Sequence, residues 1–164
     1  MLTRRFAFWA GASALAAVAA NRLFAGQPPA TTGTFEVAHS DAEWRSLLTP
    51  AQYNVLRLQG TERPFSSPLD HEQRAGTFDC AGCNLPLFSS TTKYDSGTGW
   101  PSFWQPLDNA VATSDDTFLA MKRTEVHCRR CGGHLGHVFN DGPPPTGLRY
   151  CMNGVALSFR PAAA

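Results

Sequence analysis

The spacing of apolar positions along this chain changes once. Between Asp41 and Gln59 they recur at helical intervals; from Thr61 onward they come in short runs, broken every few residues by Gly, Pro, Ser, Thr or Asp. Ser40-Asp41-Ala42-Glu43 has the pattern of a capping box, with Ser40 placed to accept from the Glu43 backbone and the Glu43 carboxylate placed to reach back. Trp44, Leu47 and Leu48 follow as an apolar face. Thr49 and Pro50 end this helix and open a second, with Tyr53, Val55, Leu56 and Leu58 apolar and Gly60 as the stop. Both helices are expected to brace the domain. Strands are expected over 76–80, 86–89, 110–113, 124–127, 138–139, 149–152 and 155–159. The fold class that follows is mainly β: two small antiparallel sheets packed face to face, with two short helices before them.

Composition narrows the function classes. The chain has 164 residues, 43% hydrophobic and 16% charged, which suits one domain, read here as 40–160 with a short tail over 161–164. A net charge of +1 without a basic run gives no electrostatic case for nucleic acid. No apolar stretch reaches the roughly 18 residues needed to span a bilayer. The N-terminus stands apart. Thr3-Arg4-Arg5 precedes a small apolar run from Phe6 to Ala20, and Ala25 ends a small-residue exit, so 1–25 reads as an export signal. The paired arginines beside Phe6 and Phe8 make it similar to twin-arginine signals, which implies a bacterial, periplasmic protein, soluble after cleavage; an uncleaved anchor is the other reading. Residues 26–39 then form a flexible start.

Five cysteines divide unevenly. Cys80-Ala81-Gly82-Cys83 and Cys128-Arg129-Arg130-Cys131 are CxxC pairs with 44 residues between them, and Cys151 stands alone. Two such turns can aim four thiolates at one point, the ligand set of a structural zinc with no position left for water. Gly82, Gly132 and Gly133 are expected to let the backbone turn tightly there. A redox-active CxxC of the thioredoxin type is the alternative.

The lone cysteine has suggestive neighbours. In Arg149-Tyr150-Cys151-Met152-Asn153, Arg149 and Asn153 fall on the same face of an extended strand as Cys151, and the guanidinium should favour thiolate. An inert buried thiol is the plainer reading. His134 and His137 follow the second CxxC directly, as core histidines or as groups for hydrogen bonding and proton transfer. Ser96-Gly97-Thr98-Gly99-Trp100-Pro101-Ser102-Phe103 reads as a rigid loop presenting the Trp100 indole as a pocket wall.

Taken together, CAGC, SGTGWPSF, CRRCGGHLGHVF and RYCMN resemble the B-type methionine-R-sulfoxide reductases over about 41–159. The resemblance implies the family's β-tent fold and Cys80, Cys83, Cys128 and Cys131 as zinc ligands. It implies Cys151 as the nucleophile that becomes a sulfenic acid. By the same resemblance Trp100 receives the substrate methyl group, and His134, His137 and Asn153 hold the sulfoxide oxygen and support proton delivery. Phe139 joins the substrate pocket, and Arg149 with Asp141 steadies the nucleophile. Many members carry a cysteine where this chain has Thr98, so a one-cysteine enzyme is implied. Its sulfenic acid is then reduced by a glutaredoxin, a thioredoxin-like protein or a small thiol. The expected substrates are peptides and proteins bearing methionine-R-sulfoxide, and a monomer is expected.

Overall fold

The computed structural model describes residues 35–117 and 123–163; the expected export signal over 1–25 and residues 26–34 of the expected flexible start lie outside them. Helix α1 spans Asp41–Leu47 and α2 spans Pro50–Leu58, each opened by a complete capping box, Ser40 with Glu43 and Thr49 with Gln52. Each box satisfies N–H groups that a helix start otherwise leaves unpaired. Two details differ from the sequence reading. Leu47 is 60% exposed, because the short α1 turns only Trp44 inward, with Leu48 buried just past its end, and Leu58 also sits at the surface. The left-handed residue that ends α2 is Gln59, with Gly60 N–H bonding back to Asn54 O. Gly60 is still needed, since a Cβ there would lie 2.2 Å from the Asn54 amide nitrogen.

Among the described residues nine strands follow, all paired antiparallel: β1 Gly76–Cys80, β2 Pro86–Ser89, β3 Lys93–Tyr94, β4 Ser102–Phe103, β5 Val111–Asp116, β6 Arg123–Cys128, β7 His134–Phe139, β8 Arg149–Met152 and β9 Leu157–Pro161. They form a three-stranded sheet, β2-β1-β9, and a six-stranded sheet, β3-β4-β8-β7-β6-β5. The two-residue strands β3 and β4 were not expected. They are too short for a periodic signal and exist because β8 offers β4 an edge. A 3-10 turn over Gly154–Ala156 occupies the place where the last strand was expected to start.

Aromatic side chains join the two sheets. Phe103 of β4 meets Phe78 of β1 edge-on at 5.0 Å and stacks on Phe88 of β2 at 4.3 Å, all three fully buried. Such pairs add about 1 kcal/mol each beyond their buried area. Helix α2 packs against β7 and the 154–156 turn, burying Tyr53, Val55 and Leu56. Residues 35–39 are docked rather than loose: Val37 N–H bonds Arg130 O, and the Phe35 ring rests where a side chain on Gly132 would sit. Among the described residues no helix is long and apolar enough to cross a membrane.

Candidate active site

Cys80 ends β1, Cys128 ends β6, and each is followed by a tight turn carrying its second cysteine, Cys83 or Cys131. All four sulfurs lie within 4.8 Å of one another, with Cys80 to Cys131 at 3.7 Å and Cys83 to Cys128 at 3.5 Å. These are not disulfides. Sulfurs bound tetrahedrally at about 2.3 Å from one ion lie about 3.8 Å apart, so the donor set fits a metal. Next to the Cys128 sulfur, and then Cys131, Cys83 and its own burial, the Cys80 thiol resists ionisation; four thiolates coexist here only where a cation takes their charge. The left-handed residues of the two turns are Asn84 and Gly132. Gly82 is not sterically required, because a Cβ there would meet its neighbours at ordinary distances of 3.6 Å or more. Arg57 of α2 donates to Cys131 O at 3.0 Å, so the helix does brace this corner.

The six-stranded sheet carries the polar chemistry in one row. Cross-strand partners run Ser114, Glu125, His137, Cys151, Ser102, Tyr94 across β5, β6, β7, β8, β4 and β3. Residues directly opposite in an antiparallel pair lie on one face with Cβ atoms about 5 Å apart. Register alone therefore sets His137 and Ser102 on either side of the half-buried Cys151. Two residues along on the same face, Arg149 lies opposite Phe139, with the guanidinium 4.4 Å over the ring and a two-point salt bridge to Asp141 at 2.9 and 2.8 Å.

Each histidine has a carboxylate the sequence reading did not find. His134 Nδ1 lies 2.8 Å from the buried Glu125, which also accepts from Ser114 at 2.5 Å and Gln59 at 3.3 Å. Burial works against the Glu125 charge, but the hydrogen bonds from His134 and Ser114 outweigh it and hold the carboxyl below its usual range. His134 Nε2 is buried with no hydrogen-bond partner among the described residues. His137 Nε2 lies 2.8 Å from Asp116, itself bound to Arg123 at 2.7 Å; burial lowers this imidazole's pKa although Asp116 opposes it.

Asn153 lies just past β8, 3% exposed, its amide spanning Leu135 O at 3.0 Å and Glu62 N–H at 2.9 Å. Trp100 is fixed by its indole N–H on Glu62 O at 3.2 Å, within a loop where Gly97 and Gly99 take positive φ. Glu62, also unforeseen, accepts from the N–H groups of Gly154 and Val155 at 2.5 and 3.0 Å. One loop residue thus ties the Trp100 wall to the turn behind the thiol. For Cys151 itself the expectation that Arg149 favours thiolate holds only in part. Burial raises the thiol, and the Thr98 hydroxyl, the Arg149 charge and the nearby Ser102 hydroxyl offset this incompletely.

Residues 48–161 match the model of the SelR domain. The chain is 60% identical over 120 residues, 73% of its length and 90% of the relative, to "Peptide methionine sulfoxide reductase MsrB" of Pseudomonas putida (strain W619). Proteins of that same name from Leptospira interrogans (55% over 127 residues; 77% of this chain, 97% of the relative) and Methanosarcina barkeri (54% over 125; 76% and 88%) align over the same domain. The chain belongs to the MsrB family. In this MsrB domain the two CxxC pairs form one cluster between the sheets, while Cys151, His137 and Ser102 share a row of the six-stranded sheet. The carboxylates behind the MsrB histidines left one trace in the sequence, a charged residue at an inward position of a strand, Glu125 in Thr124-Glu125-Val126. Glu62 left none.

Proposed function

We propose that this protein reduces methionine-R-sulfoxide in peptides and proteins to methionine, with Cys151 as nucleophile. The observation that carries the reading is the cross-strand row in which His137, Cys151 and Ser102 stand side by side, with the Trp100 loop held beside them through Glu62. The Cys151 thiolate attacks the sulfoxide sulfur while the oxygen is protonated. Methionine leaves, and the oxygen stays on Cys151 as a sulfenic acid. His134 offers its unpartnered Nε2 to the sulfoxide oxygen, His137 supports proton delivery, and Asn153 has a second amide N–H left for the same oxygen. Trp100 and Phe139 line the side that receives the methyl group, and Arg149, held by Asp141, steadies the nucleophile.

Regeneration needs an outside thiol. Thr98 stands 3.8 Å from the Cys151 sulfur, where many relatives have a second cysteine, and the other four thiols belong to the metal cluster. A donor thiol displaces water from the sulfenic acid to form a mixed disulfide; a second thiol then frees Cys151 and leaves the donor oxidised. A glutaredoxin, a thioredoxin-like protein or a small thiol fits this role. Zinc is the ion proposed for Cys80, Cys83, Cys128 and Cys131; bound there it is structural and leaves the reaction to the side chains. The N-terminal pattern supports export by a twin-arginine route to the periplasm, with the metal bound before exposure to an oxidising compartment.

The test is dithiothreitol-driven reduction of the separate R and S epimers of a blocked methionine sulfoxide by the zinc-loaded protein and its Cys151→Ser variant. Turnover of R alone, lost in the variant, is expected. Turnover of neither epimer by a folded, zinc-replete sample would overturn the assignment.

A further inference from the structure

Three hydroxyl groups stand in series between a backbone carbonyl and the Cys151 sulfur. Ser102 Oγ donates to Trp100 O at 3.1 Å, Ser102 and Ser96 Oγ are 2.7 Å apart, Ser96 and Thr98 are 2.8 Å apart, and Thr98 Oγ1 lies 3.8 Å from Sγ. Ser102 is fully buried and sits opposite Cys151 in the β4–β8 register, so the chain folds back over the strand that carries the thiol. The Thr98 backbone N–H points at Ser96 Oγ at 3.5 Å, which fixes the middle of the chain.

The count of hydrogens sets what this chain can do. Each hydroxyl has one hydrogen to give, whereas a carbonyl only accepts. There are four links and three hydroxyl hydrogens. With Cys151 as a thiol, its S–H supplies the fourth, every link is filled, and all hydrogens run toward Trp100 O. Loss of that proton to solvent leaves one link empty. Rotation of the three hydroxyls moves the empty link to the neutral carbonyl and turns the Thr98 hydrogen onto the anion, where a charge-assisted hydrogen bond is strongest.

We propose that Thr98 is a positioning residue for the nucleophile and that Thr98, Ser96 and Ser102 form a reversible hydroxyl chain that reverses direction when Cys151 ionises. This deepens the proposed reductase reading and rests on it. Thr98 thus has a role of its own at the position where many relatives carry a thiol: it serves the thiolate that attacks. The charged and titratable groups around the sulfur are Arg149 on β8 with its partner Asp141, His137 across on β7 and Tyr94 on β3. All are retained in the variants used as the test.

The experiment measures alkylation of Cys151 by iodoacetamide as a function of pH in the zinc-loaded full chain, read by mass spectrometry of the peptide carrying Cys151. The parent is compared with Thr98→Val, Thr98→Ser and Ser96→Ala. Thr98→Val should move the inflection up by about one unit, which makes alkylation about tenfold slower below it. Thr98→Ser should restore the parent profile, and Ser96→Ala should shift it in the same direction by less, since it acts only through Thr98. A Thr98→Val profile that overlays the parent, or a serine variant that behaves like valine, would overturn the proposal. Sulfoxide turnover of the parent separates the two readings. Turnover without a profile shift removes the hydroxyl chain and leaves the reductase; a shift in a protein that reduces no sulfoxide does the reverse.

Discussion

Truncating Glu62 to alanine isolates the clasp behind the site. Its backbone contacts survive the change, since Asn153 Oδ1 accepts from Glu62 N–H and the Trp100 indole donates to Glu62 O. Only the carboxylate is lost, leaving the N–H groups of Gly154 and Val155 without their acceptor. Hydrogen bonds to a charged group contribute about 1.5–3 kcal/mol each, and water can replace part of this at the half-buried Val155 N–H but not at the buried Gly154. Burial penalises the carboxylate's charge by more than these bonds return, so the loss comes from the stranded N–H groups and is expected to reach about 2 kcal/mol where Glu62 is protonated in the folded state. With a urea m value of about 1.5 kcal/mol/M, the midpoint of zinc-loaded protein should fall by about 1.3 M. The pH dependence gives a second handle. Burial raises Glu62 above the ordinary glutamate value, against the two backbone hydrogen bonds, so the folded state holds this proton more tightly than the unfolded state. Stability from this group is therefore full below the ordinary value and declines as pH rises through the raised one. The difference between parent and Glu62→Ala should be largest at the acid end of the range in which the metal stays bound and shrink toward pH 8. A midpoint loss below about 0.3 M, or a difference that grows with pH, would refute the clasp.

Other expectations concern single groups. Cys80→Ser should lose stoichiometric metal by elemental analysis and lower Tm by about 10 °C, equivalent to roughly 3 kcal/mol, with no fifth thiol placed to replace the ligand. Glu125→Gln leaves His134 and Ser114 competing for one amide oxygen in a buried site, so a loss of about 2–3 kcal/mol is expected in urea unfolding, with at least tenfold lower kcat. Unchanged kcat would mean that His134 needs no carboxylate to orient it. Burial depresses His137 below 6.5, so the unfolded chain takes up its proton first and this contribution to stability is lost as pH falls from 6.5 toward the lowered value. His137→Gln should flatten the slope of Tm between pH 7.5 and 5.5; a steeper slope would show the opposite sign.

What could be read from the sequence was what is encoded locally. Ser40-x-x-Glu43 and Thr49-x-x-Gln52 specify helix starts within four residues, and each CxxC specifies a turn. Arg149–Met152 was legible as a strand from its own residues. The chemistry of the site was legible only as a set of residue types. That His137 stands opposite Cys151 follows from the register of β7 against β8, which no local pattern fixes. The carboxylates Glu125, Asp116 and Glu62 were missed for the same reason, each meeting its partner across strands or loops. Leu47 shows the converse error: periodicity placed it on an apolar face, but a seven-residue helix has only a narrow buried stripe, and Trp44 fills it. The raised Cys151 thiol was likewise invisible, because sequence shows the nearby guanidinium and hides the burial that outweighs it.

The placement of β8 has a consequence for how the molecule is made. This strand lies in the interior of the six-stranded sheet, between β4 and β7, yet it is the second to last to be synthesised. Cys131 precedes Cys151 by 20 residues, about one to four seconds of translation at ordinary rates. All four cluster thiols therefore leave the ribosome before the nucleophile does. An ion captured at that stage would close the corner that holds β1 to β6 before β8 has been made. The order of the cysteines along the chain gives the four cluster thiols a head start over Cys151 for any ion they bind.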